Sequence, residues 1–351
     1  MPDRIIRLNP NEYINEAGIL SRIDDLLERY RINQPAVLVD QITVSIVKPY
    51  LPSWFLENHK LVYFEGECTY EEAKRLTELV DSNDGLIAIG GGQLLDTGKL
   101  VANKLNIKLV NIPTLPSNCA ALTTKSIVYS SHDHEQIDNY RIAIPITAVL
   151  VEPCILAKAP NEYLLSGIGD TLAKYYEIRR RLAENQLDLV TEQISRYFIE
   201  ITREEMLKVK DFSRLSGKDL TNFVDTVFLV AASVDGFADL DGRSVAAHTF
   251  YKAYEKVLEN PIKTHGEIVA LGSLFQVTLE ENQSLIHEIK GYYQVVGLPL
   301  YLEDLKIEKR HLAGLAAYIA GKDNPRMQSI FPNISEDTVY KNLEKLRKGG
   351  D

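Results

Sequence analysis

The residues best suited to chemistry are one aspartate, two histidines and a run of glycines. Asp170 lies in Gly167-Ile-Gly-Asp170-Thr-Leu-Ala-Lys174, an apolar helical segment in which Lys174 follows one turn later. A carboxylate in such surroundings needs a partner, because burying an unpaired charge is costly. Lys174, a backbone amine or a metal would each serve. His248 sits in Ser244-Val-Ala-Ala-His248-Thr-Phe, a helical context of small apolar residues, and His265 opens the next helix. A lone histidine in a core is ordinarily satisfied by a carbonyl. Two histidines on consecutive helices and an acid on an earlier one can close three sides of a divalent site, and three ligands with an open fourth position is the catalytic zinc pattern. The second chemical stretch is Gly90-Gly91-Gly92-Gln93-Leu-Leu-Asp96-Thr97, where a strand runs into a helix. Glycines let a backbone approach a phosphate, and the helix N-terminus offers free N–H groups and a positive dipole. A tight turn without ligand is the other reading, and Leu95 stands where a full dinucleotide fingerprint has its third glycine.

The elements that must position these residues fall into two halves. Short apolar runs at 36–40, 61–64, 86–89, 108–112, 126–129 and 148–151 read as strands. Helical periodicity lies between several of them, at 19–30, 70–80 and 93–104. Alternation of this kind predicts a parallel sheet wrapped by helices. After Pro153 the pattern becomes helical: 161–182, 187–207, 220–233, 243–258, 264–281, 287–296, 309–320 and 336–347, with a loop at 235–242. Asn260-Pro261 should stop one helix, and Thr264 with Glu267 reads as the capping box of the next. His132–Glu135 reads as a polar turn. The chain is therefore expected to be α/β, with an N-terminal Rossmann-like nucleotide-binding domain over 1–156 and a C-terminal all-helical domain over 157–351.

Asp40 ends the first clear strand, where an acid can take ribose hydroxyls and repel a 2′-phosphate; an exposed loop aspartate is the alternative. Pro113-Thr114-Leu-Pro-Ser117-Asn-Cys119 follows the strand at 108–112 and suits a ligand-lining loop as well as any loop. With 351 residues, 45% hydrophobic and 25% charged, the composition is that of a globular protein of two domains. A net charge of −10 argues against nucleic acid or an anionic membrane as partner. Three cysteines without CxxC spacing suit a reducing cytoplasm. The N-terminus lacks a signal-peptide core, and the apolar run Ile142–Val151 is too short to span a bilayer.

Gly90–Lys99, Ile112-Pro-Thr-Leu-Pro-Ser117, Val151-Glu-Pro153, Gly167–Glu177, Val245-Ala-Ala-His248 and Thr264–Gly272 come in an order that resembles the iron-containing alcohol dehydrogenase family, in its glycerol dehydrogenase group. The likeness runs from about residue 36 to the C-terminus. The run from Val151 to Glu177 is most similar to the hydroxycarboxylate dehydrogenase branch. The resemblance implies an active site in the cleft between the domains, with Asp170, His248 and His265 as zinc ligands. It puts Gly91, Gly92, Gln93 and Asp96 on the pyrophosphate, and Asp40 on the adenine ribose. Thr114, Ser117, Thr123 and Tyr129 take the remaining nicotinamide-cofactor contacts. Several positions differ from the group. Cys119 replaces an aspartate of the substrate loop, Tyr251 replaces a second histidine, Lys125 enters a pocket that is usually apolar, and Asp-rich 233–243 replaces a glycine-rich stretch. Lys174 stands where iron-dependent members carry a fourth, histidine ligand, which favours zinc over iron. With Cys119 it is the expected substrate-side residue, offering an ammonium to a carboxylate.

The implied activity is NAD-dependent, rather than NADP-dependent, hydride transfer between nicotinamide and a small polyol or a 2-hydroxycarboxylate/2-oxo acid, in a homo-oligomer. The rivals are a non-redox cyclase of the dehydroquinate synthase type and a non-catalytic NAD-binding protein.

Overall fold

The computed structural model describes residues 5–132, 134–184, 189–238, 244–258, 262–321 and 324–349. It divides into two compact units. One comprises Arg7–Ala159 with Ser216–Ala232, the other Pro160–Leu215 with Ser233–Asp351 and the extreme N-terminus.

The first unit is built on a six-stranded parallel sheet. Its strands are β1 (Glu12–Asn15), β2 (Pro35–Val39), β3 (Lys60–Tyr63), β4 (Gly85–Gly90), β5 (Lys108–Pro113) and β8 (Ala148–Val151), in the order β1-β8-β5-β4-β2-β3. β2, β4 and β8 are buried along their whole length. Strands covered on both faces cannot alternate polar with apolar, which is why they stand out in the sequence as unbroken apolar runs. A separate antiparallel ribbon, β6 (Lys125–Tyr129) with β7 (Gln136–Arg141), lies beside the helix Gly92–Leu105. The parallel sheet with flanking helices, followed by a helical C-terminal part, is the expected Rossmann-like α/β architecture.

The chain leaves β2 toward β3 on one side, returns to β4 on the other, and continues outward to β5 and β8. The order therefore reverses between β2 and β4. In open α/β sheets the crevice outside the carboxyl ends at such a reversal is where ligands bind. Asp40 follows the last residue of β2, and Gly90–Gly92 ends β4.

In the second unit long helices pack on one another. The central pair is Asn161–Glu184 and His265–Leu279, joined by Ala246–Val257. Two expectations change. Asp235 and the residues to Ala238 are helical, in Ala231–Ala238, and Asp235 meets Lys174 at 3.1 Å; residues 239–242 of the expected loop lie outside the described residues. β1 and β7 appear where no strand was expected. Asn260-Pro261 and Asp133 also lie outside the described residues. One stretch, Gly217–Ala238, is long and apolar enough to cross a membrane by length and composition. Its Asp225 accepts hydrogen bonds from the Tyr13 hydroxyl at 2.7 Å and the Asn15 amide at 2.8 Å, which tie it to the edge strand β1.

Candidate metal centre and cofactor turn

Three glycines set the spacing of the helices in the second unit. A Cβ on Gly169 would sit 2.0 Å from the carbonyl oxygen of Gly266, and one on Gly266 would sit 1.8 Å from the carbonyl oxygen of Ser166. The backbones of Asn161–Glu184 and His265–Leu279 thus touch directly, an approach only glycine permits. The Ser166 hydroxyl accepts from the Gly266 N–H at 3.1 Å and closes the contact. Gly272 does the same for the third helix, since its Cβ would meet the Ala247 carbonyl oxygen at 2.5 Å. The residues next in sequence to these contacts are Asp170, His265 and His248.

They converge. Asp170 Oδ1 lies 3.3 Å from Nε2 of His248 and 3.3 Å from Nε2 of His265. One ligand atom from each of the three falls within 4.8 Å of the others. Behind them is Glu177, fully buried and seven residues after Asp170 on the same helix face. Its Oε2 is 2.7 Å from Nδ1 of His248, and its Oε1 accepts from the N–H groups of Val245 at 2.7 Å and His248 at 3.0 Å. With Nδ1 donating to Glu177, Nε2 is left with the lone pair a metal needs.

The electrostatics suit a cation. Burial pushes the Asp170 carboxyl upward, but hydrogen bonds from His248 and His265 overcome it and hold the group well below the usual carboxylate range. Burial acts the same way on Glu177, and its contacts with His248 and two backbone N–H groups again win, leaving it lowered. On His248 burial works downward, while Glu177 and Asp170 outweigh it and raise the imidazole to about 9. Two buried carboxylates thus favour a positive charge between them, and metal binding at such a site displaces a proton. One carboxylate oxygen and two imidazole nitrogens fit a three-ligand divalent centre with an open position.

Glu177 had no role in the sequence reading beyond its place in a motif; its seven-residue spacing from Asp170 was the available signal. Glu177→Gln is expected to weaken zinc binding by about 10–100-fold, as loss of a ligand's hydrogen-bond partner generally does. Competition against a chromophoric chelator measures this, and unchanged affinity would remove Glu177 from the site.

Tyr251 packs edge-on against the His265 ring, with centroids 4.2 Å apart, and its hydroxyl donates to Glu255. Lys174 turns to Asp235, with Nζ to Oδ1 at 3.1 Å, rather than to Asp170 or Glu177.

In the first unit, the helix Gly92–Leu105 begins at Gly91, which brings no capping side chain to its first-turn N–H groups. A Cβ at Gly91 would touch Leu115 at 3.3 Å, and one at Gly92 would meet the Asn118 amide at 3.1 Å. Gln93 is exposed at the turn. Thr114 N–H donates to the Gly90 carbonyl at 3.1 Å and ties the loop after β5 to the turn. Thr114, Ser117 and Cys119 are all buried in that loop.

Asp40 caps the helix Gln41–Val47, with Oδ1 accepting from Thr43 N–H at 2.7 Å and Oδ2 from the Thr43 hydroxyl at 2.8 Å. Asp96 points inward. Its Oδ1 is 2.6 Å from the ammonium of Lys99, and its Oδ2 accepts from Ile127 N–H at 3.0 Å. Burial raises the Asp96 carboxyl against the pull of Lys99. Lys99, itself fully buried, also donates to the Ala120 carbonyl at 2.9 Å and the Thr123 hydroxyl at 3.1 Å. Asp96 and Thr123 are thus joined in one clamp that fastens the ribbon and its preceding loop to the helix. Tyr129, at the end of β6, packs on the small cluster around Cys68 and Val128.

The family model for iron-containing alcohol dehydrogenases matches residues 10–152. Hydroxycarboxylate dehydrogenase A of Escherichia coli (strain K12) is 29% identical to the chain, with 99% of each covered. The N-terminal part of the chain, residues 10–152, thus matches the iron-containing alcohol dehydrogenase family, and the chain is similar over its length to a hydroxycarboxylate dehydrogenase. A glycerol dehydrogenase of Thermotoga maritima is 28% identical over 85% of this chain and 84% of its own. The structure of a probable glycerol dehydrogenase from Sinorhizobium meliloti 1021 superposes with a TM-score of 0.80 at 23% identity, covering 97% of this chain and 98% of that one. The similarity to dehydrogenases supports an oxidoreductase, in line with the resemblance carried by Gly90–Lys99 and Thr264–Gly272.

Proposed function

We propose that this protein is a zinc-dependent NAD(H) dehydrogenase of the glycerol and hydroxycarboxylate dehydrogenase type, acting on a small polyol or 2-hydroxycarboxylate and the corresponding carbonyl compound. The observation that carries this is the convergence of Asp170, His248 and His265 within 4.8 Å, with Glu177 ordering His248 from behind. When bound, the metal supplies Lewis acidity toward the substrate oxygen, and NAD accepts or returns the hydride. The chain's part is to hold and orient. Asp170 contributes charge and one oxygen, Glu177 fixes the His248 tautomer, and Tyr251 keeps the His265 ring in place. The uncapped turn at Gly91–Gln93 offers N–H groups to a pyrophosphate. The buried Asp96–Lys99 pair keeps that turn and the loop through Thr123 in register.

The test is direct. The zinc-loaded protein is incubated with NAD and glycerol-like polyols, and separately with NADH and 2-oxo acids, while absorbance of the reduced nicotinamide is followed. Steady turnover in either arm is expected. A protein that binds NAD but changes no nicotinamide absorbance with any member of the panel would be a non-redox relative instead.

Asp40 supports NAD over NADP, because a 2′-phosphate would meet its carboxylate at the end of β2. Asp40→Ser is expected to raise kcat/KM with NADP by about tenfold, the effect of relieving roughly 1.4 kcal/mol of repulsion. Equal wild-type efficiency with both cofactors would refute the assignment.

A further inference from the structure

Lys174 spends its charge on Asp235, but a second lysine of the helical unit stands differently. Lys252 lies in the helix Ala246–Val257, four residues after His248. Positions four apart share a helix face, and a helical side chain leans back over the turn before it. The ammonium of Lys252 is therefore directed toward the turn that carries His248. It is partly buried, and it makes no hydrogen bond or ion pair among the described residues. Burial and the charge of Arg326 pull it below the usual lysine range, against a smaller opposing effect of Glu255. Glu255 itself takes the Tyr251 hydroxyl.

Arg326 is the other half of the arrangement. It donates to the Ser244 hydroxyl at 2.7 Å, just ahead of the same helix. Asn324 donates to the Thr249 hydroxyl at 3.2 Å, so the segment 324–326 runs along the turns on either side of His248. Arg326 has no carboxylate at ion-pair distance among the described residues. Two cations are thus held near each other, partly out of water, with no acid between them. That placement is costly in the free protein, and an anion would relieve it.

We propose that Lys252 and Arg326 form a carboxylate pocket beside the metal ligands, so that the substrate is a 2-hydroxycarboxylate or 2-oxo acid rather than an uncharged polyol. A guanidinium can give a carboxylate two parallel N–H bonds, and an ammonium adds a third. A carboxylate seated beside His248 carries its 2-oxygen, one carbon away, toward Asp170, His248 and His265. Lys252 then supplies the ammonium that the sequence led one to expect of Lys174. The fate of the bound acid rests on the dehydrogenase reading; its binding does not.

Calorimetric titration with oxamate, a carboxylate that mimics a 2-oxo acid and cannot be reduced, tests the pocket on zinc-loaded protein with and without NADH. Lys252→Met and Arg326→Met should each weaken oxamate binding about tenfold or more, as loss of a charge-assisted contact does. Lys252→Met keeps the aliphatic stem and removes an unpaired charge, so its ligand-free melt should be no lower than that of wild type. In turnover, KM for a 2-oxo acid should rise in step with the oxamate dissociation constant, while kcat/KM for dihydroxyacetone moves by less than about threefold. Oxamate binding that depends on Lys252 without turnover of any substrate would refute the dehydrogenase and keep the pocket. Turnover of polyols with no oxamate binding would do the reverse. Oxamate affinity unchanged in Lys252→Met, or equal loss on the acid and the ketone, would also overturn the proposal.

Discussion

His265→Ala is expected to leave purified protein with far less than one zinc per chain and to lower turnover by about a thousandfold or more, which is what losing several kcal/mol of charge stabilisation at the substrate oxygen amounts to. The His265 side chain is one-third exposed, so its removal opens little cavity and the helical unit should still fold. Elemental analysis and a thermal melt on the same preparation separate loss of metal from loss of structure. Without His265, Asp170 and His248 remain as two ligands, fewer than a catalytic zinc site ordinarily employs. Full activity in the variant after chelator treatment would show that the chemistry lies elsewhere.

Gly266→Ala should be the most damaging single methyl group in the second unit. Its Cβ would lie 1.8 Å from the Ser166 carbonyl oxygen and 2.5 Å from the carbonyl carbon, and neither is the end of a flexible side chain. Non-bonded heavy atoms settle near 3.5 Å, so the helices must part by roughly 1.5 Å. Overpacking typically costs about 1–3 kcal/mol and occasionally more, and the site should fall in the upper part of that range. The melting temperature is expected to drop by about 5–10 °C. Zinc affinity should fall with it, because Asp170 and His265 sit immediately beside the contact. A melt within about 1 °C of wild type would contradict the direct backbone approach.

Much of the fold was legible because burial leaves a mark on composition. Strands covered on both faces, such as Ala36–Val39 and Leu86–Ile89, are continuous apolar runs. The edge strand Glu12–Asn15 is half-buried throughout, carries no period of two, and owes its existence to pairing with Ala148–Val151 far along the chain. The helix Gln41–Val47 escaped for a related reason. Its β-branched residues are modest helix formers, and Ile42 and Ile46 face outward. The Asp40 cap was the one local sign of it.

The ligand side chains could be named from residue type and order, whereas their convergence depends on glycine contacts between residues 100 apart. Lys174 illustrates the limit. A lysine one turn from an aspartate reads either as that aspartate's partner or as an ammonium for a substrate carboxylate, and the structure sets it against Asp235, in a stretch that the sequence alone reads as loop. Lys99 was equally opaque, since a lysine within a helix ordinarily reads as solvated surface.

That buried lysine has a consequence for reactivity. Its amine is surrounded by Asp96, Ala120, Thr123 and Lys125 and has no exposed surface. A primary amine that is fully coordinated and out of reach of solvent cannot act as a nucleophile toward acylating reagents. Reagent in solution cannot reach it, so Lys99 is chemically silent for as long as the helix Gly92–Leu105 stays seated on its ribbon. The rate at which it does become labelled counts the openings of that seat, and a ligand that binds only the closed turn must slow it. The chain thus carries, inside its glycine-turn helix, an internal clock for local opening.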